Sequence, residues 1–189
     1  RMLNADASFC PLTAPTTLCS NLTTTCIHAS WSRSNTVLDC TTEVGRRYLA
    51  HEDETARRVG NKLRCQPVKL GGLATAVDRA FIRDGNLVGL AEIKTRGMSV
   101  QELRGFGSYL VTAKKLQDGM DLARALGVPY VLFVRLLKDD VIVFFTVSDA
   151  TGRQLISWQT NNTVTQAGCN GGTAFRKNAY IPLKYMKYL

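Results

Sequence analysis

Nowhere in the chain do about eighteen consecutive apolar residues occur, so no membrane-spanning helix is expected. The first forty residues carry no Lys or Glu, and Met2 is followed by neither a basic segment nor an apolar run, which argues against a secretory signal peptide. Histidine is nearly absent: His28 and His51 show no metal-ligand spacing. The six cysteines (Cys10, Cys19, Cys26, Cys40, Cys65 and Cys169) form no Cys-x-x-Cys, so zinc-ribbon and dithiol chemistry have no support. Free thiols in a reducing cytoplasm are the expectation, which makes the Asn21 and Asn161 sequons chance matches. The glycine-rich Ala167–Gly172 stretch lacks the Lys-Ser/Thr of a phosphate-binding loop and reads as a surface turn. Acidic residues are also short, 15 against 24 Lys and Arg in 189 residues, for a formal net charge of +9. That excess favours a polyanionic partner.

What is present centres on Asp78–Lys94. Asp84-Gly85-Asn86 is a turn signal between two strand-like runs. With those residues as the loop, Ala80 faces Leu90 and Asp78 faces Glu92. Lys94, two further on, lies on the same side of the sheet, because strand side chains alternate. A two-residue loop would shift the pairing and separate the carboxylates, so the expectation is a three-residue loop. Two carboxylates and an amine at the end of an apolar strand face are costly to assemble unless something binds there. A divalent cation beside a phosphodiester accounts for all three.

The flanking pattern supplies neighbours. Glu43–Leu63 reads as a helix with Val44, Tyr48, Thr55, Val59 and Leu63 on one stripe, and Glu52 falls inside that stripe. Ser99-Val-Gln-Glu102 has the form of a capping box. Thr112 is the expected N-cap of a helix to about Leu126, with Leu116, Met120, Ala123 and Leu126 or Gly127 facing the core. Gly127-Val-Pro129 ends it, Tyr130–Leu136 and Val141–Val147 read as strands, and a further strand is expected over Gln154–Thr160. Helix, three-stranded meander, helix, strand is an α/β order whose last connection is a crossover.

The ordered set Glu52, Asp78, Glu92-Ile-Lys94 and Lys115 resembles the PD-(D/E)XK nuclease superfamily. Ser108-Tyr-Leu-Val-Thr-Ala-Lys-Lys115-Leu, Gly127-Val-Pro-Tyr-Val-Leu-Phe-Val-Arg135 and the closing Ala179-Tyr-Ile-Pro-Leu-Lys184 are similar to small phage and prophage members. The likeness covers about residues 43–189, with Val77 where the signature has Pro. It implies a restriction-endonuclease-like core, a central mixed sheet flanked by helices, over residues 41–189. Residues 1–40 would be an N-terminal tail, flexible or wrapping along the domain.

The resemblance also implies a Mg²⁺- or Mn²⁺-dependent deoxyribonuclease. Asp78, Glu92 and the Ile93 carbonyl would ligate the cation, and Glu52 would join directly, through water or at a second ion. Lys94 would orient the attacking water, lower its pKa or stabilise phosphate charge. Lys115, or its neighbour Lys114, would contact a phosphate at the helix start. A non-catalytic nucleic-acid-binding or virion-associated module and a dimeric junction resolvase stay open as alternatives. The expected setting is the cytoplasm of a bacterial host, for a phage-encoded chain. No pattern fixes the choice between endonuclease and exonuclease, or the oligomeric state.

Overall fold

A computed structural model describes residues 41–70, 76–168 and 170–189. The expectations for the N-terminal tail, with its four cysteines, His28 and Asn21, lie outside these residues, as does Cys169. Cys65 carries a free thiol.

Helix α1 spans Glu43–Leu63, the range that its periodicity indicates. The Thr42 hydroxyl caps it by accepting from the Gly45 N–H at 2.9 Å. Three strands follow: β1 (Gln66–Lys69), β2 (Arg79–Arg83) and β3 (Asn86–Arg96). They form the antiparallel meander expected from the sequence. Helix α2 (Val100–Phe106) starts at the Ser99–Glu102 capping box, in which both reciprocal bonds are made. A strand that the sequence reading missed, β4 (Ser108–Thr112), leads into α3 (Ala113–Leu126). Strand β5 (Tyr130–Leu136) then pairs parallel with β3, completing the crossover, and β6 (Val141–Ser148) returns antiparallel.

The last part of the chain departs furthest from expectation. Instead of one strand over Gln154–Thr160, a long hairpin is made by β7 (Gln159–Gly168) and β8 (Gly171–Pro182). It joins β4 in a second sheet, β4-β8-β7, while the main sheet runs β1-β2-β3-β5-β6-β9, with β9 at Lys187–Tyr188. Asn161, Thr163 and Thr165 on one face of β7 and Asn162, Val164 and Gln166 on the other are too polar to reveal a strand. The pairing with β8 sets the conformation, not a local pattern.

The main sheet separates two cores. Ala80, Leu90, Leu132, Val134 and Phe145 pack with α3 residues Leu116, Met120 and Ala123. On the opposite face Phe81, Ala91, Phe133 and Ile142 pack on Val59 of α1. The α1 stripe is therefore narrower than expected. Thr55, Ala56, Val59 and Gly60 are buried, whereas Val44, Tyr48 and Leu63 are 37–44 % exposed. Leu126 is likewise exposed at the end of α3, and Gly119 takes its place in the buried stripe.

The hairpin loop is two residues long, not three. Asp84 and Gly85 have φ of 50° and 75°, the doubly positive pair that a type I′ turn requires. Arg83 then pairs with Asn86 and Ile82 with Leu87. A bulge at Val88 restores the odd register, since Phe81 pairs with Gly89, Ala80 with Leu90 and Arg79 with Ala91. The Asp78 N–H donates to the Ala91 carbonyl at 3.0 Å, one residue off that register, so the regular ladder ends at Arg79 and Ala91. The expected pairing of Ala80 with Leu90 is present, produced by a turn and a bulge together.

Candidate active site

Alternation from Ala80 and Leu90 turns Asp78, Glu92 and Lys94 toward the α3 side of the sheet. Asp78 is fixed first: its Oδ2 accepts the Ile93 N–H at 2.9 Å, so the carboxylate of β2 is anchored to β3. Lys94 Nζ lies 3.4 Å from Asp78 Oδ2 and 2.5 Å from Glu92 Oε1. It also donates to the Ile93 carbonyl at 3.3 Å. The first turn of α3 brings Lys115 Nζ to 3.4 Å from Glu92 Oε2 and 3.7 Å from Asp78 Oδ1. Tyr130 steadies that turn by donating its hydroxyl to the Lys115 carbonyl at 3.3 Å. Two carboxylates and two ammonium groups thus form one cluster, assembled from β2, β3 and α3.

Glu92 is 0 % exposed, and the charged partner in contact with its Oε1 is the Lys94 ammonium. Burial pushes the Glu92 carboxyl above its ordinary value, and neighbouring Asp78 adds to the rise; Lys94 and Lys115 offset part of it. Burial raises Asp78 too, but Lys94, the Ile93 N–H and Lys115 outweigh it and hold the carboxyl below its ordinary value. Burial opposes the charge on Lys94, yet Glu92 and Asp78 more than compensate and keep the ammonium well above its usual range.

Glu52 is not gathered into this cluster. Strand alternation turns Arg79, next to Asp78, to the opposite face of the sheet, where its buried guanidinium meets α1. It lies 2.9 Å from Glu52 Oε1 and also hydrogen-bonds Asp53, which Lys69 approaches at 3.5 Å. Burial and the nearby Asp78 raise the Glu52 carboxyl, with Arg79, Lys69 and Lys94 opposing. Glu52 therefore senses the site electrostatically from α1. Among the described residues, no three His, Cys, Asp or Glu side chains gather closely enough to hold a metal ion. Lys114 points away from the cluster, paired with Asp118 at 2.6 Å. Arg57 and Arg58 are occupied by Glu54 and Asp140 and line a separate cavity.

Arg79 was missed by the sequence reading. Its signal was available: an arginine on the core-facing side of a strand needs an acid opposite, and α1 offers two.

A cleft of about 560 Å³ opens beside Lys94, bordered by Tyr48 of α1, Arg96 of β3 and Thr112 at the start of α3. Gln166, Arg176 and Asn178 of the β7–β8 hairpin form its other wall. The residues present suit a hard divalent cation. A fully buried carboxylate, a second carboxylate and a main-chain carbonyl make an all-oxygen set on one face.

A parallel crossover core with Asp78, Glu92 and Lys94 clustered at one end of its meander is the arrangement of the PD-(D/E)XK nucleases. The family described as "Phage putative PDDEXK endonuclease" matches residues 46–162, and the chain belongs to it. No curated protein matches the chain. Among solved structures it is similar to Hjc of Archaeoglobus fulgidus, described as a Holliday junction resolvase from an archaeal hyperthermophile. The two share 13 % identity over 71 % of this chain and 86 % of Hjc, with a TM-score of 0.42.

Proposed function

We propose that the protein is a metal-dependent nuclease that hydrolyses phosphodiester bonds of DNA, and that residues 41–189 form its catalytic domain. The observation that carries this reading is the fully buried Glu92 carboxylate beside Asp78, in contact with Lys94. Such a group is costly to keep without a bound cation or a reaction to serve. Asp78, Glu92 and the Ile93 carbonyl would hold Mg²⁺ or Mn²⁺, and Glu52, restrained by Arg79, would add its charge from α1. When bound, the cation polarises the phosphate and acidifies a coordinated water.

The chain's own residues do the rest. Without metal, Glu92 and Asp78 hold Lys94 cationic, which suits it to donate a hydrogen bond and to supply positive charge. It orients the attacking water and stabilises charge developing on the phosphate oxygens. Lys115 sits in the first turn of α3, where its ammonium and the helix N-terminus both favour a phosphate. Lys114, at the same helix start, is the outer phosphate contact. Membership of the phage family supports action in the cytoplasm of a bacterial host.

The test is cleavage of linear, nicked, branched and single-stranded DNA with Mg²⁺, Mn²⁺ or EDTA. Cleavage is expected to need the metal and to fall by about 10²-fold or more in Lys94→Ala and Asp78→Asn. Unchanged cleavage in either variant would remove this site from consideration. DNA binding without cleavage in any metal would favour the non-catalytic alternative.

A further inference from the structure

A second cavity, of about 580 Å³, lies on the other side of the Thr112–Arg176 ridge, since those two residues border both it and the cleft. Its lining is mainly apolar around Trp158, and Lys114, Lys177 and Arg176 stand at its rim against one carboxylate, Asp118. The volume falls within the roughly 300–1,000 Å³ of sites that enclose small molecules or single building blocks. No feature of the catalytic cluster requires an indole here, and Trp158 is only partly covered by the core.

The hairpin extends this composition. Side chains alternate along β8, so Phe175 shares a face with Lys177. Phe175 is 72 % exposed, and its cross-strand partner Val164 is 65 % exposed. Large apolar side chains on both strands of a solvent-facing hairpin contribute nothing to the core. Aromatic faces interleaved with cations are what an unpaired nucleic-acid strand uses, because every base has a stacking face and every linkage a negative charge.

We propose that the Trp158 cavity is a single-strand subsite, seating one unstacked base of the substrate against the indole. Lys177 and Arg176 hold the flanking phosphates, and Arg176 carries the strand over the ridge into the cleft at Lys94. The subsite rests on the nuclease reading for its substrate class. It goes beyond that reading in making recognition depend on a base that is free to leave its stack, as at an end, gap or branch. A paired duplex keeps its bases stacked and cannot fill the cavity.

The experiment measures binding in EDTA, where no cleavage occurs, using the full-length protein and fluorescently labelled oligonucleotides. The probes are a dT oligonucleotide, an abasic oligonucleotide of the same length and a blunt duplex. Trp158→Ala is expected to weaken dT binding about 10-fold or more, while Trp158→Phe retains most of it. Abasic and duplex binding should change little in either variant. Lys177→Ala, an exposed change that leaves folding intact, should lower the salt dependence of dT binding by about 0.7 in the log–log slope. Equal dT binding by wild type and Trp158→Ala, or equal losses on dT and abasic probes, would overturn the proposal. If Trp158→Ala does not fold, an unaltered Lys177→Ala salt slope overturns it as well. Metal-dependent cleavage is scored separately: an enzyme that cuts with no Trp158 effect loses only the subsite. A protein that shows the Trp158 effect but never cuts loses only the nuclease reading.

Discussion

Holding Glu92 ionised opposes folding. Its carboxyl is raised above the unfolded value by burial, so the folded state binds the proton more tightly than the unfolded chain does. The stability this lends is fully present below the unfolded value and is lost as the pH rises through the folded one. Glu92→Gln fixes the neutral form. It is expected to melt above wild type at neutral pH, with the gap closing as the pH drops through the raised Glu92 value toward the ordinary carboxylate range. Thermal melts of both proteins across acidic to neutral pH, without metal, check this; a gap independent of pH would contradict it. Asp78 has the opposite sign, because its lowered carboxyl contributes stability above its unfolded value that disappears as the pH falls through the folded one. At this scale much was legible. Strand alternation and residue spacing were enough to bring Asp78, Glu92 and Lys94 together, and the family resemblance added Lys115. Glu52 was read into the same cluster because its place on α1 was inferred from a stripe, and a stripe does not reveal which face of a sheet the helix covers. The Arg79 pairing decides that question, and it depends on a contact between distant segments.

The β2–β3 hairpin places both carboxylates by two compensating irregularities. A sequence signal for a turn does not state its length, and a bulge at an ordinary valine has no local mark. The loop was therefore misread, although the pairing of Ala80 with Leu90 was right. Deleting Val88 removes the bulge but keeps the two-residue turn, so an uninterrupted ladder still pairs Ala80 with Leu90 and leaves Asp78 and Glu92 on one face. The expected outcome is a folded protein that still cleaves, checked by thermal melts and cleavage of linear DNA; loss of cleavage in a protein that melts normally would show that the local twist of the bulge shapes the site. Gly85→Ala keeps the register but strains a residue at φ 75°, and should cost about 1 kcal/mol in urea unfolding. Helix α3 offers a sharper case. A Gly→Ala change inside a helix is ordinarily worth about 1 kcal/mol in favour of alanine. At Gly119 the added Cβ would meet the Tyr130 ring at 2.3 Å. Overpacking of this kind costs about 1–3 kcal/mol and wins, so Gly119→Ala is expected to destabilise. It should also disturb Lys115, since the displaced tyrosine is the one whose hydroxyl steadies that turn.

At the scale of the molecule, the central strands β2, β3, β5 and β6 were foreseeable because apolar runs, turn signals and the Gly127-Val-Pro129 stop mark them, whereas the edge strands β1 and β9 carry no such mark. The second sheet was not foreseeable: β7 is largely polar and exists by pairing with β8 and, through it, with β4. That sheet supplies one wall of the cleft, so the part of the fold least visible in the sequence shapes where a substrate lies. The net charge of +9 belongs to this scale as well. Oligonucleotide affinity measured in EDTA should fall linearly in log–log form as salt rises, by about 0.7 per phosphate neutralised on a single strand. A flat salt response would mean that the basic excess does not meet phosphate.

The main sheet begins at β1, and that border has a property of its own. Pro67 has no N–H to offer a neighbouring chain, and its ring packs against Gly60, where a Cβ would sit 2.8 Å from the proline Cδ. Lys69 adds an exposed charge on the same strand, directed toward Asp53. A sheet margin built this way is a poor template for recruiting a strand from a second molecule, which is how exposed β-structure commonly starts to aggregate. Two copies of this protein that meet in solution must do so through surfaces other than the outer edge of β1, and that margin can stay uncovered without inviting fibre-like growth.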